Sequence, residues 1–252
     1  MKMKYLPSLL PVVICTLAIL AGCREEADDL HGEVQADAAS PVCVSQSSVS
    51  DTDSSHPVDI PFVLERLPND DEIVRIADYI PDIHVELRYA TSDNFTGEVI
   101  YDFSDAYLRY GTIKKLAEGQ RELADNGLSL KIWDAFRPTS AQFRLWEICP
   151  DPKFVSNPHN GFSSHSRGNT VDVTLVTTDG ADIVMPTGFD DFSDMADRDY
   201  SDCPDEAAEN ARMLEDIMSE HGFKPYSGEW WHFSDNDVYD VAESFIPSSD
   251  GE

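Results

Sequence analysis

A break in composition near residue 62 fixes how much of this chain can build a core. Residues 24–61 carry nine acids (Glu25, Glu26, Asp28, Asp29, Glu33, Asp37, Asp51, Asp53 and Asp59) against one base, Arg24. Seven serines, Pro41 and Pro57 fill much of the rest. Such a segment buries too little apolar surface to offset the entropy of ordering it, so it reads as an extended tether, residues 23–61. Folding is thereby left to residues 62–252, a length that suits one domain. The chain is 41% apolar with 12 Phe, 9 Tyr and 4 Trp, enough to fill a core there.

Ahead of the tether, Met1 to Lys4 form a short basic start, and residues 5–22 an apolar stretch interrupted by Pro7 and Pro11. A basic start, an apolar run and small residues before a cut describe a secretory signal over residues 1–22. A single membrane-spanning helix is the competing reading. The stretch lies at the lower limit for crossing about 30 Å of hydrocarbon, and its prolines weaken it. The ending Leu20-Ala21-Gly22-Cys23 resembles the bacterial lipobox, whose cysteine becomes the lipidated first residue. The expectation is an exported protein held to a bacterial membrane by lipid on Cys23, facing the periplasm or the cell surface.

Eighteen basic side chains against 48 acidic ones give a net charge of −30. That argues against nucleic acid as a partner, because phosphate binding depends on Lys and Arg. It argues equally against docking through a basic surface on anionic lipid.

Within the domain, Ile83, Val85, Leu87 and Tyr89 alternate with polar residues and predict a half-buried strand over 82–89. Leu108, Leu116, Ala117, Leu123 and Ala124 predict a helix over 104–126, stopped by Gly127. Leu128, Leu130 and Ile132 alternate as a second strand. Thr139 and Gln142 read as a capping box for a helix reaching about Ile148. Residues 171–176 are β-branched and predict a strand, and Pro204, Asp205 and Glu206 open a helix that ends at His221-Gly222. The aromatic run 223–233 closes the sheet. Helices mixed with mostly antiparallel strands in this order predict an α+β fold. Of the cysteines, Cys149 and Cys203 are a possible disulfide in an oxidising compartment, leaving Cys43 in the tether.

Three segments carry chemistry. In Ser163-Ser164-His165-Ser166-Arg167-Gly168-Asn169-Thr170-Val171-Asp172, a hairpin-like return would set His165 beside Asp172. Imidazole and carboxylate are zinc donors, although such a pair near a turn is more often a surface pair. In Gly228-Glu229-Trp230-Trp231-His232-Phe233, the aromatics favour a strand, on which Glu229 and His232 would face opposite ways. Either that strand is distorted or Glu229 stands at its edge; an aromatic core strand with a satisfied histidine is the plainer alternative. Both clusters together supply two His and one Asp as ligands and a spare Glu as base, a composition for metal-assisted hydrolysis. In Trp133-Asp134-Ala135-Phe136-Arg137-Pro138, Arg137 falls between a strand and a helix. There it would stabilise an oxyanion, or pair with a neighbouring carboxylate.

These three segments, with Tyr-Ala-Thr-Ser-Asp-Asn-Phe-Thr-Gly at 89–97 and Met-Pro-Thr-Gly-Phe-Asp-Asp-Phe at 185–192, resemble the zinc D-alanyl-D-alanine dipeptidases. That group includes the vancomycin-resistance dipeptidase, and the resemblance covers roughly residues 62–240. It implies one zinc ion on His165, Asp172 and His232, with Glu229 as catalytic base and Arg137 stabilising the tetrahedral intermediate. It implies also that Asp190 holds the free amino group of the substrate (Asp191 if the segment is shifted by one) and that Ser163 contacts substrate. The implied fold is a small α+β domain, an antiparallel sheet flanked by helices, related to the D-Ala-D-Ala carboxypeptidases and the hedgehog amino-terminal domain. The implied partner is a small dipeptide, D-alanyl-D-alanine, met by a monomer or small homo-oligomer. A D,D- or L,D-carboxypeptidase trimming peptidoglycan peptides and a non-catalytic zinc-binding wall lipoprotein are the alternatives. The signal, the acidic tether and the Ser-Gly before Glu-Trp-Trp-His depart from the resistance enzymes.

Overall fold

The computed structural model describes residues 66–248. The signal, the tether, Cys23 and Cys43 lie outside the described residues.

The longest strand, β5 (Thr170–Thr177), is buried along nearly all its length, as its β-branched run requires. Antiparallel neighbours flank it: β4 (Leu128–Asp134) on one side and the short β7 (His232–Asp235) on the other. Outside these lie β2 (His84–Val85), parallel to β4, and β6 (Phe223–Pro225), antiparallel to β7. The sheet order is β2-β4-β5-β7-β6, and β1 (Ile73–Arg75) pairs with β3 (Tyr107–Arg109) as a separate two-stranded sheet. Three helices complete the α+β fold: α1 (Tyr110–Asp125), α2 (Thr139–Ile148) and α3 (Asp205–Glu220). Trp230, Trp231, Phe233, Phe136 and Phe223 are among the largest fully buried side chains.

Four local expectations change. The strand expected over 82–89 shrinks to two residues. The backbone at Arg88–Ala90 coils into a 3-10 turn, where the Tyr89 carbonyl accepts from Ile100 and Tyr101 N–H and the Asn94 side chain binds the Arg88 carbonyl. The helix expected from 104 starts at Tyr110, because Tyr107, Leu108 and Arg109 pair with Arg75, Val74 and Ile73. Its end holds: Gly127 takes φ 75° and donates to Ala124 O at 3.0 Å. The capping box at α2 does not form. Pro138 occupies the N-cap without a side-chain bond, and Gln142 turns inward to Arg137 and the Ser156 carbonyl. Cys149 and Cys203 are free thiols, each half-buried against the core, rather than a disulfide.

At the far end of β7, the fully buried Asp235 carboxylate accepts from Thr112 Oγ1 at 2.7 Å and Lys115 Nζ at 2.5 Å. Asp235→Ala leaves Thr112 without its buried acceptor and Lys115 with only the more exposed Asp237, 2.7 Å away. A loss of about 2 kcal/mol in unfolding free energy is expected. Denaturant melts measure it, and a loss below about 1 kcal/mol, the worth of an exposed pair, contradicts the assignment.

Candidate active site

Register builds the site. A bulge on β4 between Ile132 and Asp134 advances that strand two residues against one of β5, so Asp134 comes to lie opposite Asp172. On the other side Asp172 pairs with His232. Asp134, Asp172 and His232 thus line up across three adjacent strands.

His165 reaches this row from a 3-10 turn, Ser164–Arg167, rather than from the hairpin expected. The turn is capped by Ser163, whose Oγ accepts from His165 N–H at 3.4 Å, and stopped by Gly168 at φ 74°. A Cβ on Gly168 would also stand 3.2 Å from Ile73 Cδ1, so both conformation and space favour glycine. His165 is 2% exposed, and its Nδ1 lies 2.8 Å from the Ala135 carbonyl. Donation there leaves Nε2 as the lone-pair nitrogen facing the row.

Three donors then converge. His165 Nε2 stands 3.4 Å from Asp172 Oδ2 and 3.3 Å from His232 Nδ1, and His232 Nδ1 stands 2.9 Å from Asp172 Oδ1. Ligands on a tetrahedral zinc at 2.0–2.2 Å lie about 3.3–3.6 Å apart, so the two separations from His165 match such an ion and the 2.9 Å between His232 and Asp172 has to open by about half an ångström. Burial raises the Asp172 carboxyl, but the two imidazoles outweigh it and hold the group below the usual carboxylate range.

Glu229 lies at the edge of β7, resolving the conflict noted in the sequence. The chain turns over residues 226–231, with His232 N–H donating to Glu229 O at 3.3 Å. This brings Glu229 Oε2 to 3.6 Å from His232 Nδ1, beside the donor set. Burial raises its carboxyl pKa, as suits a base working near neutrality.

Of the two roles left open for Arg137, the pairing with a neighbouring carboxylate is the one seen. Arg137 pairs with Asp134, Nη2 at 2.6 Å and Nε at 3.1 Å from Oδ2, while Nη1 donates to Gln142 Oε1 at 3.0 Å. It also lines the same cavity as the donors. Asp134 is fully buried and accepts further from the Tyr101 hydroxyl at 2.7 Å. Asp134 and Gln142 were not legible as site residues. Their nearness to Arg137 in sequence was the available signal, and the helix-start reading of Gln142 masked it.

The cavity, about 300 Å³, is lined by Arg137, Ser163, His165, Asp172, Glu229 and His232, and also by Asp190 and Tyr89. Asp190 sits at φ 57°, an unusual conformation for a residue with a side chain. Its Oδ1 accepts from Tyr89 OH at 3.3 Å, while Oδ2 is buried without a partner. Burial, then the nearby Asp172 charge, push its pKa up to about 8. Asp191 is exposed and accepts from Ser193 N–H, so of the two acids Asp190 is the one in the cavity.

A bundle of two imidazoles and a carboxylate on an α+β sheet, with a half-buried glutamate and a buried arginine alongside, describes the centre of a metal-type hydrolase. The family model for D-ala-D-ala dipeptidase, of the M15 peptidases, matches residues 69–247, and the chain belongs to that family. It is 40% identical over 162 residues to the D-alanyl-D-alanine dipeptidase of Escherichia coli (strain K12), covering 64% of this chain and 83% of the relative. The enzyme of that name from Enterococcus faecalis is 32% identical over 168 residues, covering 59% and 83%. That of Streptomyces coelicolor is 32% identical over 183 residues, covering 63% and 89%. A solved structure titled "VanYB in complex with D-Alanine-D-Alanine" overlays with a TM-score of 0.35 at 16% identity, covering 55% of this chain and 74% of that one, too loose a match to bear on the site.

Proposed function

We propose that this chain is a zinc-dependent D-alanyl-D-alanine dipeptidase, hydrolysing the free dipeptide to two D-alanines. What carries the reading is one cavity that joins a metal-ligating donor set, a half-buried base, a fixed guanidinium and an unpaired buried carboxyl oxygen. His165, Asp172 and His232 would hold the ion, which supplies Lewis acidity, lowering the pKa of water and polarising a carbonyl. Glu229 takes the proton of the attacking water and passes it to the leaving amine. Arg137, braced by Asp134 and Gln142, offers its guanidinium to the developing oxyanion. Asp190 Oδ2 accepts from the substrate ammonium, and Ser163, at the cavity wall, contacts the substrate. A longer peptide has an acylated, uncharged nitrogen at that position and would leave Asp190 unpaired.

The cellular setting belongs to the same proposal. Residues 1–22 direct export, Cys23 carries lipid, and the tether over 23–61 holds the domain of residues 62–252 off the membrane. A resistance enzyme must destroy the dipeptide in the cytoplasm before it enters the wall precursor. An exported enzyme fits cell-wall turnover instead. Cys23→Ser is expected to move the protein from the membrane to the soluble fraction.

The test is an assay of the mature protein on free D-Ala-D-Ala and on an N-acylated analogue, with and without chelator. Turnover of the free dipeptide that is lost with chelator and restored by zinc is expected. Faster turnover of the acylated analogue would instead make it a carboxypeptidase, and zinc binding without any turnover a silent wall protein. His165→Ala, Asp172→Ala and His232→Ala are each expected to abolish stoichiometric zinc. A variant that retains one zinc per chain removes its residue from the ligand set.

A further inference from the structure

The turn that carries Glu229 is closed at its ends by Tyr226 N–H, which donates to His232 O at 3.1 Å, and tied to β5 by Val173 N–H, which donates to Trp231 O at 3.0 Å. Around Glu229 itself the backbone is looser: Glu229 N–H reaches Tyr226 O at 3.4 Å and His232 N–H reaches Glu229 O at 3.3 Å, both long for amide bonds. A neighbouring segment adds further support. Trp230 N–H donates to Ala196 O at 2.9 Å, and Arg198 N–H to Ser227 O at 3.3 Å. The Arg198 side chain then grips the two carbonyls that bracket Glu229: Nε donates to Tyr226 O at 2.7 Å and Nη2 to His232 O at 3.1 Å.

This guanidinium is itself fixed. Nη1 donates to Glu215 Oε2 of α3 at 3.0 Å and to Tyr200 OH at 3.3 Å, and the group lies 4.5 Å from the Phe233 ring centre. Tyr200 is buried at φ 54°, a strained conformation for so large a residue, and its hydroxyl reaches both Glu215 and Arg198. The Arg198 side chain is 9% exposed, so its contacts are made in a desolvated setting where direction counts. A surface ion pair with Glu215 would need none of the bonds to the turn.

We infer that Arg198 is a positioning residue for catalysis: its guanidinium locks the 226–232 turn and so holds Glu229 beside the donor set. The catalytic half of this inference rests on the proposed role of Glu229 as base. Only a planar fork reaches both carbonyls at once; a lysine keeps the charge and loses the geometry. A displacement of about 1 Å at a reacting group costs on the order of 10² in rate.

The test is Arg198→Lys in the full chain, read by amide hydrogen exchange, zinc content and steady-state kinetics on D-Ala-D-Ala. Exchange at Glu229 and His232 is expected to rise by about tenfold or more, while amides of β5 are unchanged. Zinc is expected to stay at one per chain, with kcat falling on the order of 10² and KM moving less than about threefold. In a Glu229→Gln background the same substitution is expected to cost less than about twofold, because the group it positions is already gone. Millimolar guanidinium is expected to restore part of the turnover of Arg198→Ala; if that variant does not fold, Arg198→Lys decides alone. Unchanged exchange in the turn, or an undiminished loss in the Glu229→Gln background, overturns the inference. Absence of turnover in the unsubstituted protein would sink the dipeptidase reading instead, and the exchange measurement would still decide whether Arg198 holds the turn.

Discussion

Glu229→Ala is expected to lower kcat on D-Ala-D-Ala on the order of 10³-fold while the protein keeps its zinc. The two halves come from one geometry. Glu229 Oε2 is 3.6 Å from His232 Nδ1, whereas the closest approaches among the three donors themselves run from 2.9 to 3.4 Å. The carboxylate is therefore beside the donor set, placed to exchange protons with a water there. Removing it leaves His165, Asp172 and His232 and the Ala135 carbonyl behind His165 in place. Glu229→Gln keeps the shape but cannot take a proton, and it should lose nearly as much. Metal analysis and steady-state kinetics on the same preparation measure both. A Glu229→Ala protein with kcat within about tenfold of the parent would leave too small a loss for a general base, and another residue would have to take that role.

Where a local signal met no competing contact, the sequence read correctly. The β-branched run at 171–176 became β5, and Pro204 with Asp205 and Glu206 opened α3 as expected. Where the outcome depended on a distant partner, it did not. Leu108 lies on β3 because Val74 is there to pair with it, and nothing in residues 104–110 announces that neighbour. Gln142 carries a valid helix-start signal, yet a buried guanidinium five residues earlier offers its side chain a better bond than an exposed helix end does.

The site divides along the same line. His165, Asp172, Glu229 and His232 stood out because their residue types carry the chemistry, and the cavity brings all four together. The conflict of spacing at Glu229 and His232 was visible too, and its resolution, a turn ending at the first residue of β7, was one of the two alternatives. Asp134 was not legible, since its importance arises from a bulge that sets it opposite Asp172. Arg198 was equally silent. Its partners are main-chain carbonyls of Tyr226 and His232, which have no sequence signature.

Asp190→Asn supplies the second large effect, and it separates function from stability. Oδ2 of Asp190 is buried with no partner, so the free protein carries a carboxyl group whose ionised form lacks support. Burial and the Asp172 charge push its pKa up to about 8 from an ordinary 3.8. An arriving ammonium would remove that penalty by pairing with the carboxylate. Asparagine cannot do so, and the loss of such a buried charge pair costs about 2–5 kcal/mol, roughly 30-fold to a few thousand-fold in kcat/KM for the free dipeptide. An N-acylated analogue has no ammonium to lose, so its residual turnover should change little and the preference between the two substrates should collapse. Stability moves the other way. A carboxyl whose folded pKa is raised binds its proton more tightly in the native state. Its contribution is complete below about pH 4 and is lost as pH rises through about 8. Asparagine has no proton to lose and tolerates φ 57° at least as well. Metal-free Asp190→Asn is therefore expected to melt higher than the parent at pH 8.5, with the gap closing toward pH 5. An equal fall on both substrates would remove the ammonium from this end of the cavity, and a melting difference independent of pH would remove the unsupported charge.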